Sequence, residues 1–137
     1  MDRRHFLAMS AAASAAFAMP ASARMLEYRP GLIDQELAAG KTVFIDFAAT
    51  WCSTCAAQAR VIGALKGENP AYEENIVFVR VDWDQHRRAD ITQRLAIPRR
   101  STLVVLKGDQ ELGRIVAGTG RSQIKALMDT ALGAATA

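Results

Sequence analysis

The sequence predicts an α/β domain: a mixed central β-sheet flanked by helices on both faces. Three observations carry that expectation. Val43-Phe44-Ile45-Asp46-Phe47-Ala48, Ile76-Val77-Phe78-Val79-Arg80-Val81 and Thr102-Leu103-Val104-Val105-Leu106 are short apolar runs rich in β-formers, as buried strands are. The stretches between them repeat their apolar residues at helical spacing. Lys107-Gly108-Asp109-Gln110 is a turn that returns residues 111–117 against the third run, so the last two strands are antiparallel.

Composition bounds the answer. A chain of 137 residues, 50% hydrophobic and 23% charged, suits one folded domain. It is too short for an enzyme with separate cofactor and substrate domains. Seventeen basic and 14 acidic side chains leave a net charge of +3, too small to argue for nucleic acid. The two cysteines, Cys52 and Cys55, exclude a multi-disulfide scaffold and a four-cysteine zinc or iron–sulfur site within one chain.

Taken in order, residues 1–23 read as an export address and 24–137 as the domain. Arg3-Arg4-His5-Phe6-Leu7 supplies a basic start, an Ala-rich stretch follows, and Ala21-Ser22-Ala23 offers a cleavage site. The paired arginines resemble a twin-arginine export signal. The apolar stretch from Phe6 to Met19 falls short of the ~20 residues a membrane span needs, so no stable insertion is expected after cleavage. In a Gram-negative cell this address makes the domain periplasmic, where free thiols tend to be oxidised.

Met25 to Arg29 is a short first strand closed by Pro30-Gly31, and Leu32, Ile33 and Leu37 mark a short helix ending at Gly40. The Val43–Ala48 strand leads to an Ala-rich helix from Cys55 to Lys66, stopped at Gly67. Pro70 breaks the chain before the second strand of the three. His86 to Ala96 reads as one helix, with Ile97-Pro98 ending it. After the hairpin, Ile124, Leu127, Met128 and Ala131 share one side of a closing amphipathic helix from Ser122 to Leu132.

Trp51-Cys52-Ser53-Thr54-Cys55 lies where the central strand gives way to a helix. A helix N-terminus presents unpaired N–H groups and partial positive charge, both of which stabilise a thiolate. Cys52 is therefore expected at the exposed tip as nucleophile, with Cys55 one turn further in to displace the mixed disulfide. Asp46 stands in an otherwise apolar strand, where burial raises a carboxyl's pKa and fits it to accept a proton from Cys55; a structural hydrogen-bond role is its alternative.

The segment from Phe44 through Cys55 resembles the active-site segment of the thioredoxin superfamily, and Thr102 through Gly108 resembles that family's fourth strand and turn. The element order agrees over nearly all of residues 25–133. The resemblance implies the thioredoxin fold and a thiol–disulfide oxidoreductase that needs no bound cofactor beyond its Cys52–Cys55 disulfide. It also implies a protein disulfide as substrate and a dithiol partner as electron donor. By resemblance Asp46 matches the buried acid of reducing members, and neither residue between the cysteines is the His of strongly oxidising ones, so a reductase is expected.

One position departs from the family. The cis-proline before the fourth strand is replaced by Ser101, Pro98 being three residues too early. A cis bond before a non-proline costs ~2.5–4 kcal/mol, so a trans Arg100–Ser101 bond is expected. Trp51, Arg100, Ser101 and Thr102 are the expected substrate groove, with Trp51 covering one side of the sulfurs. Arg99 and Arg100 lie on the loop beside Cys52, where Arg100 favours its thiolate or is simply solvated. In the family that proline also keeps metals off the cysteines. Its loss therefore opens an alternative, Cys52 and Cys55 holding Cu(I), zinc or an iron–sulfur cluster. His86, the only histidine after residue 23, reads as a surface residue at a helix start rather than a ligand. Arg87, Arg88 and Arg94 read as a solvated face.

Overall fold

A computed structural model describes residues 25–137; the export segment expected over 1–23 lies outside the described residues. Among the described residues five strands form one sheet: β1 (Leu26–Glu27), β2 (Thr42–Ala48), β3 (Ile76–Asp82), β4 (Thr102–Lys107) and β5 (Gln110–Val116). Their spatial order is β1-β3-β2-β4-β5. β3 runs parallel to both β1 and β2, whereas β4 is antiparallel to β2 and to β5. This is the mixed sheet expected, with β2 at its centre.

Every residue of β2 is buried, because helices cover both faces of the sheet. On one face Phe44, Phe78, Leu103 and Val105 pack under α2 (Ser53–Glu68), α3 (Ala71–Asn75) and α6 (Arg121–Ala135). On the other, Val43, Ile45, Phe47, Val79 and Val104 pack with residues of α1 (Leu32–Ala38) and α5 (Asp90–Arg94). The period-2 alternation of β2 places Asp46 on the face it shares with Phe44, toward α2.

Three expectations are corrected. The first strand is only Leu26–Glu27, the two residues that find partners on β3. The single helix expected over 86–96 is two pieces, α4 (Trp83–His86) and α5, separated by residues 87–89, of which Ala89 is extended (ψ 157°). Asp82 starts α4 by accepting from Asp84 and Gln85 N–H, so the helix begins three residues earlier than His86. Pro70 does break the chain after α2, but the residues that follow it form the five-residue α3, an element outside the expected order, consistent with the tolerance of helix starts for proline.

Candidate active site

Cys52 is the N-cap of α2: its φ of −90° and ψ of 113° are extended, and its Sγ accepts the Cys55 N–H at 3.1 Å. The sulfur thus takes the place of the side-chain oxygen that usually satisfies such an end. Cys55 lies in the first turn, 5.2 Å away between Cα atoms, and the two are joined as a disulfide. Both are buried. Cys52, expected at an exposed tip, is only 5% exposed, because Ala48, Ala49 and Trp83 pack around the pair and Ser101 closes over it.

Ser101 reaches the sulfurs by an unusual backbone. It has φ +62°, the left-handed region that costs a non-glycine residue roughly 1–3 kcal/mol. Three hydrogen bonds hold it there. Its N–H donates to Phe47 O at 2.7 Å, and its carbonyl accepts from Ala117 N–H at 2.8 Å and from Gln58 Nε2 at 3.0 Å. Its Oγ lies 3.1 Å from both Sγ atoms. The Arg100–Ser101 bond is trans, as expected.

A cleft of about 280 Å³ runs beneath the disulfide, lined among others by Cys52, Cys55, Asp46, Lys66 and Arg80. Asp46 is 3% exposed, and one carboxylate oxygen has no hydrogen-bond partner among the described residues. Burial pushes its pKa up to about 6, against the opposing pull of Arg80 and Lys66. Lys66 is held over the Phe78 ring at 3.8 Å and 2.9 Å from Glu73, a charge contact whose angle falls short of a hydrogen bond.

The remaining expected residues lie next to Cys52 and Ser101 in the chain. Trp51, expected to cover one side of the sulfurs, is 60% exposed, and the tryptophan packed against the cysteine pair is Trp83. Its indole N–H donates to Asp84 at 2.9 Å, and the Arg100 guanidinium stacks over its ring at 4.5 Å. Thr102 is 0% exposed and spends its hydroxyl on Arg99 O at 2.7 Å, so the accessible rim is Trp51 and half-buried Arg100. His86 lies apart: it ends α4 rather than starting a helix, half-buried and edge-on to Tyr28. Arg94 is paired with Asp34 and Asp90 on the surface.

Sequence reasoning missed Gln58, Lys66, Arg80 and Trp83. Gln58 is 0% exposed, and its amide bridges Ser101 O and Gly118 O; a glutamine at an inward position of an Ala-rich helix was the available signal. Arg80 comes beside Asp46 through the β2–β3 pairing, which no local pattern in the sequence reports. Among the described residues no three His, Cys, Asp or Glu side chains cluster to hold a metal. A soft metal on Cys52 and Cys55 would therefore draw further ligands from other residue types or from a second chain.

A family model described as Thioredoxin matches residues 27–130. The chain is 32% identical over 88 residues to the thioredoxin of Echinococcus granulosus, covering 64% of this chain and 76% of that protein. It is 34% identical over 95 residues to the thioredoxin of Coprinus comatus, covering 68% and 83% respectively. Among solved structures, Trxlp from Edwardsiella tarda superposes with a TM-score of 0.64 at 28% identity, over 74% of this chain and 97% of that one. The thioredoxin of Malassezia sympodialis gives 0.62 at 25% identity, over 79% and 94%.

Proposed function

The chain belongs to the thioredoxin family and is a thiol–disulfide oxidoreductase, and on that premise we propose that it reduces protein disulfides in the periplasm with its Cys52/Cys55 dithiol. The observation that carries the reading is the capping sulfur. Cys52 Sγ already accepts a helix N-terminal N–H, so a thiolate formed there is stabilised without rearrangement. Cys55 shares a cleft with Asp46, whose pKa of about 6 leaves it largely ionised at neutral pH and able to accept a proton.

In the reduced protein, the Cys52 thiolate attacks one sulfur of a substrate disulfide and the other sulfur leaves as a thiolate. Cys55 gives its proton to Asp46 and attacks Cys52 Sγ, closing the 52–55 bond and releasing the second substrate thiolate. Two electrons pass from the dithiol to the substrate, and the proton held on Asp46 returns to solvent or product. An external dithiol then re-reduces the pair. The rim of Trp51 and Arg100 is the surface on which a substrate would be received.

The direction and the compartment rest on sequence. Asp46 is of the type found in reducing members, and Arg3-Arg4 with Ala21-Ser22-Ala23 supports export. The purified, metal-free protein is expected to reduce a model protein disulfide with a dithiol present. Cys52→Ala should abolish turnover, and Cys55→Ala should trap a mixed disulfide on Cys52. No turnover by the metal-free protein, with stoichiometric metal retained on purification and lost in Cys52→Ala, would replace this reading by the metal-binding one.

A further inference from the structure

Ser101 is a buried hydroxyl with two possible partners. It is 0% exposed, and among the described residues its Oγ has hydrogen-bond contacts only to Cys52 Sγ and Cys55 Sγ, each at 3.1 Å. A disulfide sulfur accepts hydrogen bonds weakly, whereas a thiolate accepts a charge-assisted one of roughly twice the strength of a neutral pair. The same contact is therefore worth more in the reduced protein than in the oxidised one.

We propose that the Ser101 hydroxyl is a catalytic hydrogen-bond donor that stabilises the reduced cysteine pair, with Gln58 as the residue that positions it. The inference rests on the redox reading of the pair. Among the described residues two donors converge on Cys52 Sγ, the Cys55 N–H and the Ser101 O–H, but only Ser101 on Cys55 Sγ. Cys52 is accordingly the sulfur that carries the charge at rest. Because the hydroxyl is equidistant from both sulfurs and has one proton, it can turn to Cys55 when that sulfur ionises to attack. It keeps its proton throughout, and no co-reactant is consumed.

The backbone is built for this contact. Ser101 is held in the left-handed region by its bonds to Phe47, Ala117 and Gln58, and the Gln58 amide ties its carbonyl to that of Gly118. Among the described residues the other charged groups near the sulfurs are Asp46 from β2, Lys66 from α2 and Arg80 from β3 in the cleft, and Arg100 next to Ser101 in the chain. None hydrogen-bonds to Ser101 Oγ, so substitutions there leave those partners in place.

Stabilising the reduced form raises a disulfide's potential. Ser101→Ala and Ser101→Gly, titrated against glutathione at a pH where Cys52 is ionised, should each shift the dithiol–disulfide equilibrium about tenfold toward the disulfide, about 30 mV more negative for two electrons. The Cys52 thiolate absorbance should titrate about one pH unit higher in both, the same tenfold. Alanine keeps the backbone strain and glycine relieves it, so equal shifts identify the hydroxyl. Unchanged potentials, or a shift in only one variant, overturn the proposal. Gln58→Met should shift the potential in the same direction by less, and no shift removes its positioning role. These are equilibrium readouts. A protein that shows the shifts but fails to turn over a disulfide loses the reductase reading and keeps this one.

Discussion

Asp46 shows what one buried side chain costs and supplies. Its folded pKa of about 6 lies above the ordinary carboxyl value of 3.8, chiefly through desolvation. Below about pH 3.8 the carboxyl is protonated in both folded and unfolded chains and imposes no penalty. As the pH rises toward 6 the unfolded chain ionises first, and the folded state loses stability until both are ionised. Asp46→Asn in the oxidised protein should therefore raise urea-unfolding stability at pH 7.5 by up to about 3 kcal/mol, each tenfold change in proton affinity being worth about 1.36 kcal/mol. At about pH 3 the gain should shrink to near zero. An equal gain at both pH values would show that charge is not the cause. The same substitution should slow closure of the 52–55 bond at neutral pH, which stopped-flow trapping of the mixed disulfide would detect. Stability and resolution rate thus oppose one another at a single side chain.

Elements are tied together on the α2 face by side chains that carry charge into the core. Lys66 of α2 reaches Glu73 of α3 with side-chain exposures of 2% and 3%, over the Phe78 ring of β3. The Tyr72 hydroxyl of α3 donates to Asp129 of α6. A buried pair is weak evidence of net stabilisation, because desolvating two charges offsets their attraction. Removing one partner is a different matter. Glu73→Ala should cost roughly 3–5 kcal/mol in thermal or urea unfolding, since it leaves Lys66 buried and unpaired. The double variant Lys66→Met with Glu73→Leu should recover most of that loss. If the single variant is as stable as the parent, the pair is not desolvated in solution. Met128 of α6, 0% exposed in the core, should cost about 2–5 kcal/mol on truncation to Ala, through lost burial and the cavity left behind.

At the scale of the whole molecule, the proposed export is separable from the fold. Replacing Arg3 and Arg4 together with Lys should leave the purified domain's disulfide reduction unchanged while retaining it in the cytoplasm, as cell fractionation would show; undisturbed export would remove the twin-arginine reading. Among the described residues no helix is long and apolar enough to cross a membrane. The order of the strands, the β2 and β4 strands and the closing helix were legible in residue patterns. Apolar runs and helical spacing report burial directly, and both core faces follow from them. The split of residues 83–94 into two short helices was not legible, because periodicity survives a break that one extended residue makes. The cysteine pair at a helix start and the buried carboxyl of Asp46 were also determined by sequence alone, since adjacent residues and one strand's alternation place them. Only the tertiary structure decided what surrounds them. Ser101 meets the sulfurs across 49 and 46 residues of chain, Gln58 meets Ser101 across 43, and Trp51 meets Asp84 across 33. Such contacts depend on where the β-sheet sets distant loops against one helix end, and local periodicity carries no record of that distance.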